Sequence, residues 1–402
     1  MAVGQGFSKV VTSGSVFHYD TGDVINSFKG KPTTNLLLDI GYTYGTQNQT
    51  YFKSSYGTEY DIIPGLGGQV LVNYCNFFND YNGGSGNCCP SVFYFGNFTV
   101  SPSTIYTYQI VYKTPDGYAN ANYMYHYEYG PGGYVTEYGL WSDTRTQDLG
   151  NGWTHAWGTF TSNAATNYFQ TYLFHYQYTQ TKIQIAGVML TQGDVIIPPR
   201  QFIPVNTTRS NTQGLLDLTG NCSLDLSNVT FNTNGNITFD GTNDNINIPS
   251  SNVFDTQTVT VEVVVKPATT FQLGFWFEKG IVNSQYSLFM ENSKIVWRTA
   301  YGGNYDSLYF GSSNMTANAW NYVVGTYTAG DKRVYLNTNL MNNNNLNVTL
   351  NTNQGNQYIG SYNPNSYYYN GEIAVVKVYN RVLTPGEIKQ NYGHYKTRFN
   401  LP

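Results

Sequence analysis

Stretches such as Val259-Thr-Val-Glu-Val-Val-Val265, Ile105-Tyr-Thr-Tyr-Gln-Ile-Val-Tyr112 and Tyr322-Val-Val-Gly-Thr-Tyr327 recur along this chain and decide what it can become. They are β-branched and aromatic, alternate in part with period two, and are cut off at short intervals by Gly, Asn, Asp and Pro. Branching at Cβ restricts χ1 and suits a pleated surface better than a helix. Helical periodicity is nearly absent. The pattern predicts an all-β chain of two antiparallel β-sandwich (jelly-roll) domains rather than a parallel α/β sheet. The exception is Thr384-Pro-Gly-Glu-Ile-Lys-Gln-Asn391. Thr384 as N-cap, Pro385 at N1 and Glu387 at N3 form a capping box, which predicts a short helical turn on the surface.

A length of 402 residues allows two or three domains. Composition shifts near Pro198-Pro199-Arg200 and again over Val205–Gln213, from a Tyr- and Gly-rich block to an Asn-rich one, so this stretch reads as a linker. Asn342–Asn345 reads as a loop tip between strands. No fixed repeat or heptad pattern appears, so no long fibre shaft is encoded. Charged residues make up only 11% and sum to −4, which removes the electrostatic basis for a nucleic-acid partner. No apolar run approaches the roughly 18–20 residues of a membrane span. The start, Met1–Phe7, lacks the basic and apolar regions of a secretory signal. Cys75, Cys88, Cys89 and Cys222 lack paired zinc-site spacing; they read as free thiols of a reducing compartment or as a Cys75–Cys88 or Cys75–Cys89 bridge.

Catalytic chemistry finds little support. The Glu residues are Glu59, Glu128, Glu137, Glu262, Glu278, Glu291, Glu372 and Glu387. A retaining glycosidase sets two carboxylates about 5–5.5 Å apart. The strand pattern that would supply them is missing: Glu262 is followed by Val263-Val264-Val265-Lys266, and Glu278 meets Asp306 only if folding unites them. There is no Gly-x-Ser-x-Gly elbow, His-Glu-x-x-His or phosphate loop. His126 and His175 occupy two similar strands, and in-register pairing would let them face each other, but a metal site would still lack a third ligand.

Aromatic residues are more informative, with 38 Tyr, 22 Phe and 6 Trp. Alternation places Tyr123, Tyr125, Tyr127 and Tyr129 on one strand face, and Tyr172, Phe174, Tyr176 and Tyr178 likewise on another. Such a face serves as sandwich core, subunit contact or glycan platform. Trp153 and Trp157 read as core anchors, and Trp141, between Gly139 and Asp143, as an exposed ring. Two C-terminal stretches, Trp297–Asp306 and Ser361–Asn370, read as Tyr/Asn/Gly-dense loops of the kind that bind through rigid rings and small polar groups. Their ligand candidates are Trp297, Tyr301, Asn304, Tyr305, Asp306, Tyr362, Asn365 and Tyr367, beside Trp141, Tyr125, Tyr127 and Tyr176 in the first half.

From Leu216 onward the chain resembles a laminin-G-like, concanavalin-A-type jelly roll. The carriers are Leu216-Asp-Leu-Thr-Gly220, Ile237-Thr-Phe-Asp-Gly-Thr-Asn-Asp244, Ile246-Asn-Ile-Pro249, Trp320-Asn-Tyr-Val-Val324, Arg333-Val-Tyr-Leu-Asn337 and the long ending Gly371–Ile388 with its Tyr379-Asn-Arg381. The ending, running on to Asn391-Tyr-Gly-His-Tyr-Lys-Thr-Arg398, is similar to that of tailed-bacteriophage virion proteins. Those relatives open with a strand similar to Gly14–Asp23. The resemblance therefore implies a discontinuous jelly roll, residues 1–27 plus 206–402, interrupted by residues 28–205. That inserted block resembles a carbohydrate-binding-module (galactose-binding-like) sandwich through Pro32–Leu36, Thr107–Tyr112, Gly152–Phe160 and Ile183–Leu190. Relatives often hold a structural calcium, for which Asp240 and Asp244 are ligands by type, although Ala374 replaces a customary Asp of the last strand. The resemblance implies a non-enzymatic protein of the virion exterior, assembled in the host cytoplasm: a head decoration or head fibre, or a tail-associated adhesion protein. Its partners would be other virion proteins, further copies of itself and host-surface glycans. A secreted or cell-surface lectin module is the alternative, and a polysaccharide depolymerase a third.

Overall fold

The computed structural model describes residues 9–37, 52–64, 66, 69–79, 91–113, 122–139, 145–175, 181–204, 206–232, 236–280, 285–311, 315–352 and 355–402. Strand dominates, at 51% against 7% helix, so the all-β expectation holds. The chain forms two compact units, Met1–Pro32 with Ser210–Pro402 (unit 1) and Thr33–Arg209 (unit 2).

Unit 1 begins with β1 (Ser15–Asp20). Unit 2 supplies β2 (Thr33–Thr34), β3 (Phe52–Ile62), β4 (Gln69–Asn79), β5 (Ser91–Thr99), β6 (Ile105–Lys113), β7 (Asn122–Gly130), β8 (Gly133–Gly139), β9 (Arg145–Gly150), β10 (Trp153–Thr161), β11 (Tyr168–His175), β12 (Thr181–Gln192) and β13 (Thr208–Arg209). Unit 1 resumes with β14 (Thr230–Phe231), β15 (Ile237–Asp240), β16 (Ile246–Ile248), β17 (Val259–Pro267), β18 (Leu273–Lys279), β19 (Tyr286–Glu291), β20 (Lys294–Tyr301), β21 (Asn304–Gly311), β22 (Asn321–Thr328), β23 (Asp331–Leu336), β24 (Asn339–Asn344), β25 (Gln357–Ile359), β26 (Asn370–Tyr379) and the helix α1 (Pro385–Phe399).

In unit 1 an eight-stranded sheet runs β14-β15-β26-β17-β22-β23-β24, with β1 also paired to β26, and a six-stranded sheet runs β16-β25-β18-β19-β20-β21. Their shared core holds Val261, Val263, Trp276, Leu288, Trp297, Leu308, Val323 and Val376. Trp297 reaches that core because Gly325 opposite has no side chain; a Cβ there would lie 2.4 Å from the indole. The run Val259–Val265 is buried along its whole length, since the other face of β17 is covered too. There Val264 packs with Tyr322, Val375, Ile388 and Tyr395 under α1. A strand covered on both sides reads as a continuous apolar run instead of a clean alternation.

The C-terminal helix corrects the expectation of a short surface turn. The capping box is present: the Thr384 side chain accepts from the Glu387 N–H, and the Glu387 carboxylate accepts from the Thr384 N–H. The helix then continues for 15 residues to Phe399, burying Ile388, Asn391 and Tyr395 along one side. Asn342–Asn344 likewise belongs to the edge strand β24 and not to a loop tip. Its amides explain why: Asn342 Nδ2 donates to the Tyr309 carbonyl at 2.9 Å and Asn344 Nδ2 to Asp306 at 3.0 Å, tying this edge to β21 of the other sheet.

Unit 2 is a second sandwich, a six-stranded sheet β3-β4-β12-β6-β10-β9 and a four-stranded sheet β5-β11-β7-β8. Between them lie Phe98, Tyr106, Tyr108, Phe160, Phe169 and Leu190. Trp153 is fully buried and donates its indole N–H to Asp61 at 3.2 Å, whereas Trp157 is half-buried. The unit's two ends meet in a two-stranded ladder, Thr34 opposite Thr208.

Candidate functional site

On the six-stranded sheet of unit 1, residues opposite one another share a face. Phe275 stands opposite Phe289, Phe289 opposite Val296, and Val296 opposite Tyr309. This row lies on the face turned away from the core, because Leu288, Trp297 and Leu308 point inward. Phe275 and Phe289 stack at 4.2 Å. From the 360–370 loop, Tyr362 and Tyr367 close over Phe275, with centroids at 5.1 and 6.3 Å. Tyr367 is 50% exposed and sits at φ 59°, a left-handed backbone that a bulky residue rarely adopts. Asn365 is exposed in the same loop, its N–H held by the Asn363 side chain at 2.8 Å.

The next row on this face is Glu278, Ser287, Arg298 and Ser307. The Arg298 guanidinium lies between two rings, 4.7 Å from the Phe289 centroid and 4.6 Å from that of Tyr305. Its Nε donates to Ser307 Oγ at 3.2 Å. Four residues before Arg298 on the same strand, the Lys294 ammonium lies over Tyr309, 5.7 Å from the centroid. Tyr305 and Tyr309 are 60% and 40% exposed. Tyr301 and Asn304 flank the Gly302–Gly303 turn, whose two positive φ angles suit glycine. Aromatic rings with adjacent donors form a flat surface suited to stacking.

Asp306 belongs elsewhere. It shares a row with Thr299 and buried Tyr286, on the face opposite Glu278. Its Oδ1 accepts from Lys332 Nζ at 2.8 Å and from Asn344. Burial pushes this carboxyl up, but the hydrogen bonds from Lys332 and Asn344 more than reverse it, so it stays below its ordinary value. Burial lowers Lys332 to about 8, against the opposing pull of Asp306. Glu278 and Asp306 therefore do not form a catalytic pair. Glu262 is no better placed: it is fully buried on the α1 side, accepting from Tyr322 Oη at 2.7 Å and Asn391 Nδ2 at 2.9 Å. One cavity of about 400 Å³, lined by Leu336, Asn337, Asn339, Met341, Tyr392 and Pro402, has no Asp or Glu side chain in its wall.

The four-stranded sheet of unit 2 carries a second aromatic surface. Thr99, Tyr168, Tyr129 and Tyr134 follow one another across its four strands, and Asn97, Gln170, Tyr127 and Glu137 form the adjoining row. Tyr129 and Tyr168 stack at 5.0 Å with planes 6° apart, and Tyr134 meets Tyr129 edge-on at 6.1 Å. Tyr134 is 57% exposed and the other three tyrosines are half-buried, so among these described residues the face is not sandwich core. The core side of β7 instead holds His126 and Glu128, paired at 3.2 Å beneath Phe160 and Phe169. Burial holds His126 below its ordinary pKa. His126 stands opposite Thr171, and His175 opposite Asn122, so the register separates the two histidines expected to face each other.

Among the remaining candidates, Trp297 is corrected: it is fully buried and donates its indole N–H to the Thr326 carbonyl at 3.0 Å. Trp141, Tyr176, Cys88 and Cys89 lie outside the described residues, and so do the side chains of Tyr125 and Cys75. Asp240 and Asp244 do not fit a calcium cage. Asp240 Oδ1 caps the N–H groups of Thr242 and Asn243, and Asp244 accepts from the Asp240 N–H and the Thr230 hydroxyl. Three of their four oxygens are thus turned to the fold, and calcium takes about six to eight. No cluster of three acidic, His or Cys side chains forms among the described residues. Phe275, Phe289, Arg298 and Tyr309 were missed from sequence; the alternation of Lys294, Val296 and Arg298 was the available signal.

Among solved structures, the receptor-binding domain of botulinum neurotoxin C/D mosaic serotype is 19% identical, with TM-score 0.38 over 46% of this chain and 49% of that one. The binding domain of serotype D is 20% identical, TM-score 0.38, over 46% and 50%. The type G receptor-binding domain is 18% identical, TM-score 0.38, over 46% and 49%. The chain thus spans about half the length of each. No curated protein matches it. A family model does match, Laminin_G_3, described as the concanavalin A-like lectin/glucanases superfamily, over residues 240–389. Residues 240–389 are thus similar to the Laminin_G_3 domain of the concanavalin A-like lectin/glucanases superfamily.

Proposed function

We propose that this chain is a non-enzymatic binding protein of a bacteriophage particle's exterior, and that it holds glycans on the outer face of the six-stranded sheet of unit 1. The observation that carries the binding role is the set of exposed rings, Tyr305, Tyr309 and Tyr367, on a sheet face without a facing carboxylate pair among the described residues. Sugars stack their C–H faces on such rings, and Ser307, Asn304 and Asn365 supply hydroxyl partners. The similarity to a lectin-type domain supports the same reading. The phage setting is supported by the ending Gly371–Arg398, which resembles that of tailed-phage virion proteins. Neighbouring virion subunits and further copies of the chain are the other partners that such faces serve.

Glycan-array binding of the whole chain tests the role, with Tyr305→Ala and Tyr367→Ala beside it. Each variant is expected to weaken binding about tenfold, since a stacked ring contributes roughly 0.5–1.5 kcal/mol beyond the area it buries. No binding across a broad array would overturn the glycan role. Mass spectrometry of purified particles tests the location; glycan binding by a chain absent from particles would favour the secreted-lectin alternative.

A further inference from the structure

Within that reading, the geometry points to an acidic sugar as the ligand, with the Arg298 guanidinium receiving its carboxylate. Arg298 is half-buried on the binding face and oriented by Phe289, Tyr305 and Ser307. Among the described residues only its Nε is engaged, and its two terminal nitrogens have no hydrogen-bond partner there. None of the nearby carboxylates stands directly opposite Arg298, whose cross-strand partners are Ser287 and Ser307. Asp306 is on the opposite face, paired with Lys332. Glu278 lies in the same row but beyond Ser287 and is buried. Glu291 is on the same face but stands opposite Lys294, four residues along the strand from Arg298.

On this face Arg298 lies over Tyr305 and Lys294 over Tyr309; Lys294 has Glu291 opposite it, whereas Arg298 stands between Ser287 and Ser307. A guanidinium fixed in this way presents a planar fork that matches a carboxylate with two parallel hydrogen bonds. Tyr305, stacked on the same guanidinium, is positioned to take the sugar ring. A neutral sugar would leave the fork unmatched; a uronic or sialic-type residue fills it.

The test compares oligogalacturonate and oligosialate with their methyl esters, which keep the ring and remove the charge. Wild-type chain is expected to bind the free acids at least about tenfold more tightly than the esters, with affinity falling as salt rises. Arg298→Gln is expected to abolish that preference, so that free acids and esters bind the variant with equal affinity. Arg298→Lys, which keeps charge but not the fork, recovers it only in part. Tyr305→Ala weakens acid and ester alike. Equal binding of acids and esters, untouched by Arg298→Gln, would overturn the acidic-sugar inference and leave the lectin role standing. Absence of binding to acids, esters and a neutral array would overturn both. Thermal unfolding of each variant separates lost binding from lost fold.

Discussion

At the residue scale, the two aromatic surfaces share a difficulty for anyone reading the sequence. Period two tells which residues share a face, but not which face is buried. In β20, Val296 and Trp297 are both apolar, and the larger one is core while its neighbour lines the outer face. In β7 the polarity is inverted, with His126 and Glu128 inward and Tyr127 and Tyr129 outward. Only the partners across the sandwich settle the choice. For Trp297 that partner is Gly325, and the fit is tight enough to predict from. Gly325→Ala places a methyl within 2.4 Å of the indole, and is expected to cost about 1–3 kcal/mol in urea unfolding. An unchanged midpoint would show that the indole moves aside freely.

At the scale of elements, α1 shows what local signals carry and where they stop. Thr384, Pro385 and Glu387 announce the start of the helix in the sequence. Its length was hidden because the buried side is built partly from polar groups, with Asn391 donating to Glu262 and Tyr379 and accepting from the Val11 N–H. The start of the helix also has a pH signature. Arg381 grips Glu387 through two hydrogen bonds, of 2.6 and 2.9 Å, and holds its carboxyl down to about 2 from an ordinary 4.5. Between those values the unfolded chain binds more protons than the folded one. The stabilisation is therefore complete above about pH 4.5 and lost as pH falls toward 2. Partly exposed as the pair is, Glu387→Gln is expected to cost about 1 kcal/mol at pH 7 and to flatten this acid limb, read by thermal unfolding across pH. His18, lowered to about 3 chiefly by burial, adds a loss of stability as pH falls below about 6.5 and survives the substitution as an internal control.

At the scale of the whole molecule, the all-β class was legible because it rests on residue types repeated in every segment. The path of the chain depends on pairings between distant segments, such as β1 with β26, and composition says nothing of these. Around unit 2 that path narrows to two adjacent segments. The Lys29 and Gly30 N–H groups both donate to the Gly214 carbonyl, at 2.8 and 3.1 Å. Replacing residues 33–209 by a short Gly-Ser link is therefore expected to leave unit 1 folding cooperatively, with strand-type circular dichroism and a single unfolding transition. A molten, non-cooperative product would show that unit 1 depends on the segment removed.

The pairing of β1 with β26 carries a cost in time. His18 faces Lys377, so the first of these strands waits while all the residues between them are synthesised. At roughly 5–20 residues per second, that interval is on the order of 20–70 s. Throughout it, Phe17 and Tyr19 lack their core and β1 has no β26 to pair with. An unpaired strand edge of this kind recruits other chains. Slower elongation is thus expected to penalise this protein more than one whose neighbouring strands are consecutive, because β1 waits longer for its partner.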